Sequence, residues 1–212
     1  MDIVIIGAGG HGKVVLDAVL CAGRDQVIGF LDADPATHGR LICGVEVLGS
    51  PNALARMARG GARGVIVAIG NNRVRQQYAV EAAAGGIELV NAIHPAATVS
   101  RFATVGRNVF VAAGAVVCAD ARLADGVVVN TAAVVDHECD VATAAHLCPG
   151  AVLTGRVRVG ERAFVGAGAR VLPCLRIGSD SVVGAGAVVR ADVPDGTTAV
   201  GVPARLLNSN KV

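Results

Sequence analysis

An aliphatic residue occupies every sixth position of this 212-residue chain, without a break, from residue 99 to residue 189. A period of six matches neither an α-helix, which repeats every 3.6 residues, nor a simple strand, which repeats every two. It is typical of a solenoid of short strands, in which the aliphatic residue points inward and a small residue two positions earlier lets the chain turn. Three such sides close a coil of about 18 residues, and we expect roughly five coils at the ~4.8 Å strand spacing. The aliphatic positions are Val99, Val105, Val111, Val117, Leu123, Val129, Val135, Val141, Leu147, Leu153, Val159, Val165, Val171, Ile177, Val183 and Val189.

The composition suits such an interior and argues against several classes of protein. Aromatic residues make up 2% of the chain and Trp is absent, so small aliphatic residues must form the core. The net charge is +2 with no basic block, so the electrostatic footprint of a nucleic-acid-binding protein is missing. No run approaches the roughly 20 apolar residues that cross a bilayer, and the chain opens into a strand without a basic leader. We therefore expect a cytoplasmic protein with no membrane span, no nucleic acid partner and reduced cysteines.

Residues 1–95 follow a different pattern, in which short β-rich runs alternate with helical spacing. Strands are predicted at 3–6, 27–31 and 65–69, with helices from Lys13 and from Arg73 to about Ala84. Strands separated by helices indicate a small parallel, Rossmann-like α/β sheet. We predict two domains, an α/β domain at 1–95 and a solenoid at 96–212.

A glycine-rich segment, Gly7-Ala8-Gly9-Gly10-His11-Gly12, lies between the first strand and the first helix, and Asp32 ends the second strand. Backbone N–H groups at a helix N-terminus attract phosphate oxygens, and an acid after the second strand can accept ribose hydroxyls. A domain of 95 residues is short for a whole dinucleotide, so we favour a nucleotide or nucleotide sugar over NAD. A purely structural glycine turn is the alternative. Gly70-Asn71-Asn72 opens the next helix, where Asn could either bind a ligand or cap the helix.

A polar cluster interrupts the bland solenoid sequence at residues 130–139. His137 is the best candidate for a general base there, because an imidazole titrates near neutral pH. Glu138 or Asp136 could hold its ring and stabilise the imidazolium. The alternative is a solvent-facing histidine on the edge of a coil.

Two His-x-Cys pairs, His137 with Cys139 and His146 with Cys148, resemble pairs of metal ligands. Nine residues separate the pairs, which is half a circuit of an 18-residue coil, so they should face different sides. We therefore expect no metal site within one chain. A cysteine nucleophile at Cys139 or Cys148 stays open, although Cys139 stands at the small position of its hexad, which favours burial.

Two features of the solenoid half resemble the hexapeptide-repeat acyltransferases: hexads such as Val159-Gly160-Glu161-Arg162-Ala163-Phe164, and the C-terminal Gly201-Val202-Pro203-Ala204-Arg205. The order of several motifs along the chain makes the resemblance more specific. The glycine segment, Ile69-Gly70-Asn71-Asn72, Ile93-His94-Pro95 and the segment from Asn130-Thr131 to His137-Glu138 together resemble the bacterial sugar acetyltransferases of the PglD/NeuD type over nearly the whole chain. The resemblance implies a left-handed parallel β-helix and a homotrimer with acetyl-CoA bound between neighbouring prisms.

The resemblance also implies roles for individual residues. His137 matches the general base of the family and Glu138 its orienting acid. One group matches positions around acetyl-CoA: His146 near the acetyl group, Gly155 with its N–H at the thioester, and Ala167, Gly184 and Ala185. A second group matches the nucleotide-sugar cradle: Gly9, Gly10, His11, Asp32, Gly70, Asn71 and Asn72. The chain departs from the family at Ala132 and Ala133, where Ser is frequent, so sugar contacts beside the base should differ.

The expected reaction is direct transfer of an acetyl group from acetyl-CoA to the amine of a nucleotide-linked amino sugar, without a metal. A sialic-acid-type sugar O-acetyltransferase is the nearest alternative. A metal-dependent hydratase and a non-catalytic nucleotide-binding scaffold are two further ones.

Overall fold

The computed structural model of the chain describes residues 1–207, which divide into two compact units with the boundary between Pro95 and Ala96. In the part of the chain that is described, no helix is both long and apolar enough to cross a membrane.

The first unit is a small α/β fold built on a parallel sheet of four strands, in the order β2-β1-β5-β6. Residues 3–6 of the central strand β1 are fully buried, as are all four residues of β5. Two short 3₁₀ helices lie at Pro35–Thr37 and Pro51–Ala53. The elements are β1 (Asp2–Ile6), α1 (Gly10–Ala22), β2 (Gln26–Leu31), β3 (Leu41–Ile42), β4 (Val45–Glu46), α2 (Leu54–Arg59), β5 (Gly64–Val67), α3 (Asn72–Ala84), β6 (Glu88–Leu89) and β7 (Ala92–Ile93).

Helix α1 begins earlier than its aliphatic spacing predicts, at Gly10 instead of Lys13. Glycine and histidine carry no aliphatic signal, so the periodicity becomes visible only after the first turn. The helix ends at Gly23, whose left-handed backbone (φ 63°) lets its N–H donate to the Val19 carbonyl. The glycine segment therefore includes the first turn of α1.

The second unit is a parallel β-solenoid whose strands pair with the strand one coil, or 18 residues, further along, as Val117 pairs with Val135 and Leu147 with Val165. The strands are β8 (Thr98–Val99), β9 (Thr104–Val105), β10 (Phe110–Val111), β11 (Val116–Val117), β12 (Arg122–Leu123), β13 (Val128–Val129), β14 (Val134–Val135), β15 (Asp140–Val141), β16 (His146–Leu147), β17 (Val152–Leu153), β18 (Arg158–Val159), β19 (Phe164–Val165), β20 (Arg170–Val171), β21 (Arg176–Ile177), β22 (Val182–Val183), β23 (Val188–Val189), β24 (Thr198–Val200) and β25 (Arg205–Leu206).

The solenoid has three sides. We call the sheet through β10, β13, β16, β19 and β22 side 1, the sheet β8-β11-β14-β17-β20-β23 side 2, and the sheet β9-β12-β15-β18-β21 side 3. Side 2 holds six strands, so the solenoid makes about six turns where the sequence predicted five. The prediction of five corresponds to the five intervals of 18 residues between Val99 and Val189. Six strands stand at the ends of these intervals, and each of them belongs to a turn.

The predicted aliphatic ladder forms the interior of the solenoid. From Val111 onward its members are 0–2% exposed. Burying each such side chain contributes about 1.5–3 kcal/mol, which makes this ladder the main source of stability in the unit.

The corners of the solenoid differ from the prediction. The chain turns at the residue before the small one, and that residue has a positive φ at every sixth position from Asn108 to Gly186. The small residues, such as Ala115, Ala121 and Ala133, are instead fully buried, because the inside of a corner has room for little more than a methyl group. Five corner residues are glycine, but Ala132, Glu138, Arg156 and others also hold a left-handed backbone there, at a cost of roughly 1 kcal/mol each.

Candidate active site

His137 lies at the corner between sides 2 and 3 of the solenoid, directly after β14. Its backbone N–H donates to Asp136 Oδ1 (2.7 Å), and its ring Nδ1 lies 3.0 Å from Glu138 Oε2. A proton on Nδ1 therefore leaves Nε2 as the acceptor, and the ring is half-exposed to solvent. The structure thus brings His137 and its predicted orienting acid together, in the arrangement that a general base requires.

Gly155 is one coil further along at the same corner, and the ring of His137 packs against it. A Cβ atom on residue 155 would lie 2.6 Å from both Cε1 and Nε2 of His137. Real Cβ atoms do not approach other atoms so closely, so the glycine is what allows the imidazole to occupy this position. The Nε2 atom of His137 and the Gly155 backbone are therefore neighbours.

Arg156 belongs to the same group, although no motif in the sequence pointed to it. Its Nε donates to Glu138 Oε2 (3.1 Å) and its backbone N–H donates to the His137 carbonyl (3.0 Å). The hydrogen bond from His137, and then that from Arg156, lowers the pKa of the Glu138 carboxyl. Glu138 therefore stays ionised at neutral pH. The spacing of 18 residues from Glu138 was the signal that could have revealed Arg156.

The two candidate cysteine nucleophiles are buried. Cys139 is 1% exposed, with its thiol 3.2 Å from the Thr154 carbonyl, and Cys148 is 7% exposed. Burial raises the pKa of each thiol to about 11. Because the thiolate is the reactive form, neither cysteine is suited to attack a thioester at neutral pH.

His146 lies on side 1, away from the corner that carries His137. It is 7% exposed, its Nε2 lies 3.2 Å from Asn130 Nδ2, and its ring meets Phe164 edge to face at 5.2 Å. Its surroundings are those of a packed, oriented side chain.

The other residues that the resemblance assigns to acetyl-CoA lie at a different corner. Ala167, Gly184 and Ala185 follow β19 and β22, at the edge between sides 1 and 2. Ala167 and Ala185 are exposed and lie one coil apart, with the Ala167 carbonyl accepting from the Gly186 N–H (2.8 Å). The structure brings these three together but separates them from His137 and Gly155 by the whole width of side 2.

The glycines of the α/β unit have two distinct roles. Gly7 (φ 109°) and Gly12 are required by packing, because a Cβ on Gly12 would collide with the Gly7 carbonyl where α1 approaches β1. Gly9, Gly10 and Gly70, in contrast, have open space where a Cβ would point. Packing therefore explains the outer glycines of the segment, while the inner ones leave room for a ligand.

The space beside these inner glycines belongs to a cavity of about 390 Å³ at the ends of β1, β2 and β5. It lies at the carboxyl edge of a parallel sheet, where α/β proteins bind their ligands. Five of the predicted nucleotide-sugar residues line it, namely Gly9, Gly10, His11, Asp32 and Gly70. Asn71 and Asn72 do not belong to the lining.

His11 occupies the first turn of α1, in this cavity. Burial, and secondarily the positive charge of Arg75, lowers the pKa of His11 to about 4. Its imidazole is therefore neutral at physiological pH, with one nitrogen a donor and the other an acceptor.

Arg75 is a buried arginine that nothing in the sequence singles out. It is 1% exposed, and its guanidinium donates to the Ile69 carbonyl (2.9 Å) and to Asn72 Oδ1 (2.9 Å). Burial lowers its pKa to about 10, so that it stays charged at neutral pH. Arg75 therefore fixes the Ile69–Asn72 turn from beneath.

Asp32 and Asn71 use their side-chain oxygens within the chain. Asp32 accepts hydrogen bonds from the backbone N–H groups of Ala8 (2.6 Å) and Asp34 (2.9 Å), which holds the glycine segment against β2. Asn71 caps α3 by accepting from the N–H groups of Arg73 and Val74, both at 3.1 Å. For Asn71 the capping alternative describes the observed contacts.

Among the described residues, the group of His, Cys, Asp or Glu side chains close enough to share a metal ion is Asp17, Cys21 and His94. It lies in the α/β unit, and two of its members are exposed. The two His-x-Cys pairs of the solenoid lie on different faces, as their spacing predicted.

Comparison with known proteins agrees with this two-part architecture. The PglD N-terminal domain profile matches residues 2–82, and the bacterial transferase hexapeptide profile, with six repeats, matches residues 156–191. A histidine-to-asparagine variant of perosamine N-acetyltransferase from Caulobacter crescentus, solved with CoA and GDP-perosamine, is 45% identical. That alignment covers 99% of this chain and 98% of the other, with a TM-score of 0.95.

Two further relatives extend the comparison. The acetyltransferase domain of PglB from Neisseria gonorrhoeae FA1090, solved with acetyl coenzyme A, is 42% identical over 97% of this chain and 98% of that one, with a TM-score of 0.91. UDP-N-acetylbacillosamine N-acetyltransferase of Bacillus subtilis (strain 168) is 38% identical over 114 residues, or 53% of this chain. The matched segment spans about half of that curated relative, 51% of its length.

The fold and the profiles define a hexapeptide-repeat transferase with a PglD-type N-terminal domain. Its solenoid is a left-handed parallel β-helix, an exception to the right-handed crossover rule. The chain belongs to the sugar N-acetyltransferases of the PglD/NeuD type.

Proposed function

We propose that the protein transfers the acetyl group of acetyl-CoA to the amine of a nucleotide-linked amino sugar. The observation that carries this proposal is the placement of His137, with Nδ1 on Glu138 and Nε2 against the Gly155 backbone. Relatives at 42–45% identity that were solved with CoA and GDP-perosamine or with acetyl coenzyme A support the two co-substrates.

In the proposed mechanism the sugar amine attacks the thioester carbonyl carbon directly. His137 Nε2 accepts the proton that the amine loses as the tetrahedral intermediate forms, and Glu138 stabilises the resulting imidazolium. The Gly155 N–H donates to the developing oxyanion. Collapse of the intermediate breaks the carbon–sulfur bond, and the imidazolium returns its proton to the CoA thiolate. The high pKa values of Cys139 and Cys148 favour this route over an acetyl-cysteine intermediate.

We further propose that the active unit is a homotrimer. His137 and Gly155 lie at one edge of the prism, whereas Ala167 and Ala185 lie at another, a full side away. One CoA molecule can contact both sets only if the first edge of one chain meets the second edge of a neighbour. This geometry supports a site built between two chains, repeated three times around an axis.

The cavity beside Gly9, Gly10 and His11 is the proposed site for the nucleotide diphosphate. Open space at the two glycines lets phosphate oxygens approach the N-terminus of α1, where backbone N–H groups point outward. The neutral imidazole of His11 lines the same cavity without adding a positive charge. Acetyl-CoA and nucleotide sugars are both cytoplasmic metabolites, and we place the reaction in that compartment.

The test is acetyl transfer to a panel of GDP-, UDP- and CMP-linked sugars, each supplied in an amino and a matched hydroxyl form. Release of the CoA thiol and a gain of about 42 Da are measured on each acceptor. The proposal expects acetylation of at least one amino sugar and none of its hydroxyl counterpart. Transfer to hydroxyl sugars alone would indicate the O-acetyltransferase alternative. Binding of nucleotide sugars with no transfer would indicate a scaffold, since ligands still raise the melting temperature of a protein that only binds them.

A further inference from the structure

We propose that Arg156 is a positioning residue of this site. By holding Glu138 it fixes the orientation of His137, and it weakens the hydrogen bond between the carboxylate and the imidazole Nδ1–H. The inference rests on the proposed role of His137 as general base, and it extends that role to a residue on the adjacent coil.

The first support is geometric. The same oxygen, Glu138 Oε2, lies 3.0 Å from His137 Nδ1 and accepts from Arg156 Nε at 3.1 Å. The backbone N–H of Arg156 also donates to the His137 carbonyl at 3.0 Å. This backbone bond recurs at the other corners, as from Arg162 to Thr143 and from Cys174 to Gly155, so it fixes the register of the two coils. The guanidinium of Arg156 holds the side chain of Glu138.

The second support is the origin of this contact in the repeat. Glu138 and Arg156 are consecutive members of one corner column, separated by a single coil, and both have a left-handed backbone (φ 57° and 64°). The same backbone conformation at the same corner sends both side chains outward along the same edge. The solenoid thus aligns the carboxylate and the guanidinium without any tertiary rearrangement.

The third support is the charge around His137. The groups in contact with His137 are the carboxylates of Asp136 and Glu138, and the thiols of Cys118, Cys139 and Cys174 lie beside Asp136 and Arg156. Asp120, Arg122, Asp140 and Arg158 line the cavity next to Glu138. Arg156 is the cation bonded to this acidic group. Two carboxylates alone would favour the imidazolium, whereas a guanidinium that shares Glu138 Oε2 opposes it.

This contact has a consequence for the reaction. With Arg156 in place, Glu138 stays aligned with Nδ1–H, so the Nε2 lone pair points to the substrate. Without the guanidinium, Glu138 is free to rotate, and the bonded cation that opposes protonation of the ring is lost.

The experiment compares the pH dependence of kcat and kcat/KM for the wild type, Arg156→Met, Arg156→Gln and Arg156→Lys. The matched control is Arg162→Met, because Arg162 holds the same left-handed backbone at a different corner, between sides 3 and 1, and pairs with Asp180 one coil further on. Arg156→Met and Arg156→Gln are expected to lower kcat at neutral pH about tenfold and to move the acid limb up by about half a pH unit. Arg156→Lys should return the acid limb to its wild-type position with only partial recovery of kcat, because ammonium lacks the planar fork of guanidinium. Arg162→Met should leave both unchanged.

A second readout needs no substrate. The imidazole ¹⁵N spectrum, with His137 assigned by its loss in His137→Asn, reports which ring nitrogen carries the proton. The proposal expects Nδ1–H in the wild type and in Arg162→Met, and a mixture of tautomers in Arg156→Met. An acid limb that persists in His137→Asn would refute the general base itself. An acid limb that depends on His137, but keeps its position in Arg156→Met together with an unchanged tautomer, would overturn the role of Arg156 alone.

Discussion

The imidazole of His137 rests on the bare backbone of Gly155, one coil away, where a Cβ atom would lie 2.6 Å from Nε2. Any side chain at residue 155 must therefore move the ring. We expect Gly155→Ala to lower kcat by on the order of 10²-fold, since a displacement of about 1 Å of a reacting group has that effect. Steady-state kinetics with acetyl-CoA and the acceptor sugar measure the loss.

The control for this prediction is the same substitution in a His137→Ala background. Without the ring there is nothing to displace, so Gly155→Ala should then change neither the melting temperature nor the residual activity. A wild-type kcat in Gly155→Ala would show that the ring position does not matter for the reaction.

The buried thiols give a prediction about covalent intermediates. Because burial raises the pKa of Cys139 and Cys148 to about 11, about one thiol in 10⁴ is ionised at pH 7. The double variant Cys139→Ala/Cys148→Ala should retain acetyl transfer, and wild-type protein mixed with labelled acetyl-CoA should carry no label after denaturation. Label that stays on the wild type and disappears in the double variant would establish a two-step route.

His11 makes the stability of the α/β unit depend on pH. Its pKa is about 4 in the folded protein and 6.5 in the unfolded chain, so the unfolded chain takes up the proton first as the pH falls. The contribution of His11 to the free energy of unfolding is complete above pH 6.5 and declines between about pH 6.5 and 4, by about 3 kcal/mol. His11→Gln should flatten this decline.

Urea unfolding at a series of pH values measures the effect. The single tyrosine of the chain, Tyr78 in α3, and the absence of Trp let fluorescence follow this unit alone. An equal decline in His11→Gln would mean that other groups cause the acid sensitivity.

The left-handed corners give a pair of predictions of opposite sign. Ala132 (φ 55°) and Gly150 (φ 68°) are consecutive members of one corner column. Ala132→Gly should raise the free energy of unfolding by up to about 1 kcal/mol, and Gly150→Ala should lower it by a similar amount. Calorimetry of both variants tests this, and a shift of the same sign in both would mean that packing, not backbone strain, governs the corners.

The interior of the solenoid could be predicted from the sequence because one position in six has a single requirement, an aliphatic side chain that fits a buried ladder. The corners were harder to predict. The left-handed residue can be Gly, Ala, Glu or Arg, so its identity does not mark the corner in the sequence. The residue beside it is regularly small because it is completely buried, and this makes it visible in the sequence although the chain does not turn there.

The site was partly predictable for a related reason. His137 and Glu138 are adjacent in sequence, and Gly155 and Arg156 lie one 18-residue coil further on, so the period alone could have placed all four together. Arg75 could not have been found in this way, because its burial depends on how α3 packs against β5 and not on any local pattern.

The most direct test of the account is the turnover of His137→Ala with acetyl-CoA and the acceptor amino sugar, beside the dissociation constant of CoA for the same variant. We expect kcat to fall by about 10²–10⁴-fold while the dissociation constant stays within about twofold of the wild type. Turnover at the wild-type rate in a variant that still binds CoA would contradict the assignment of His137 as the general base.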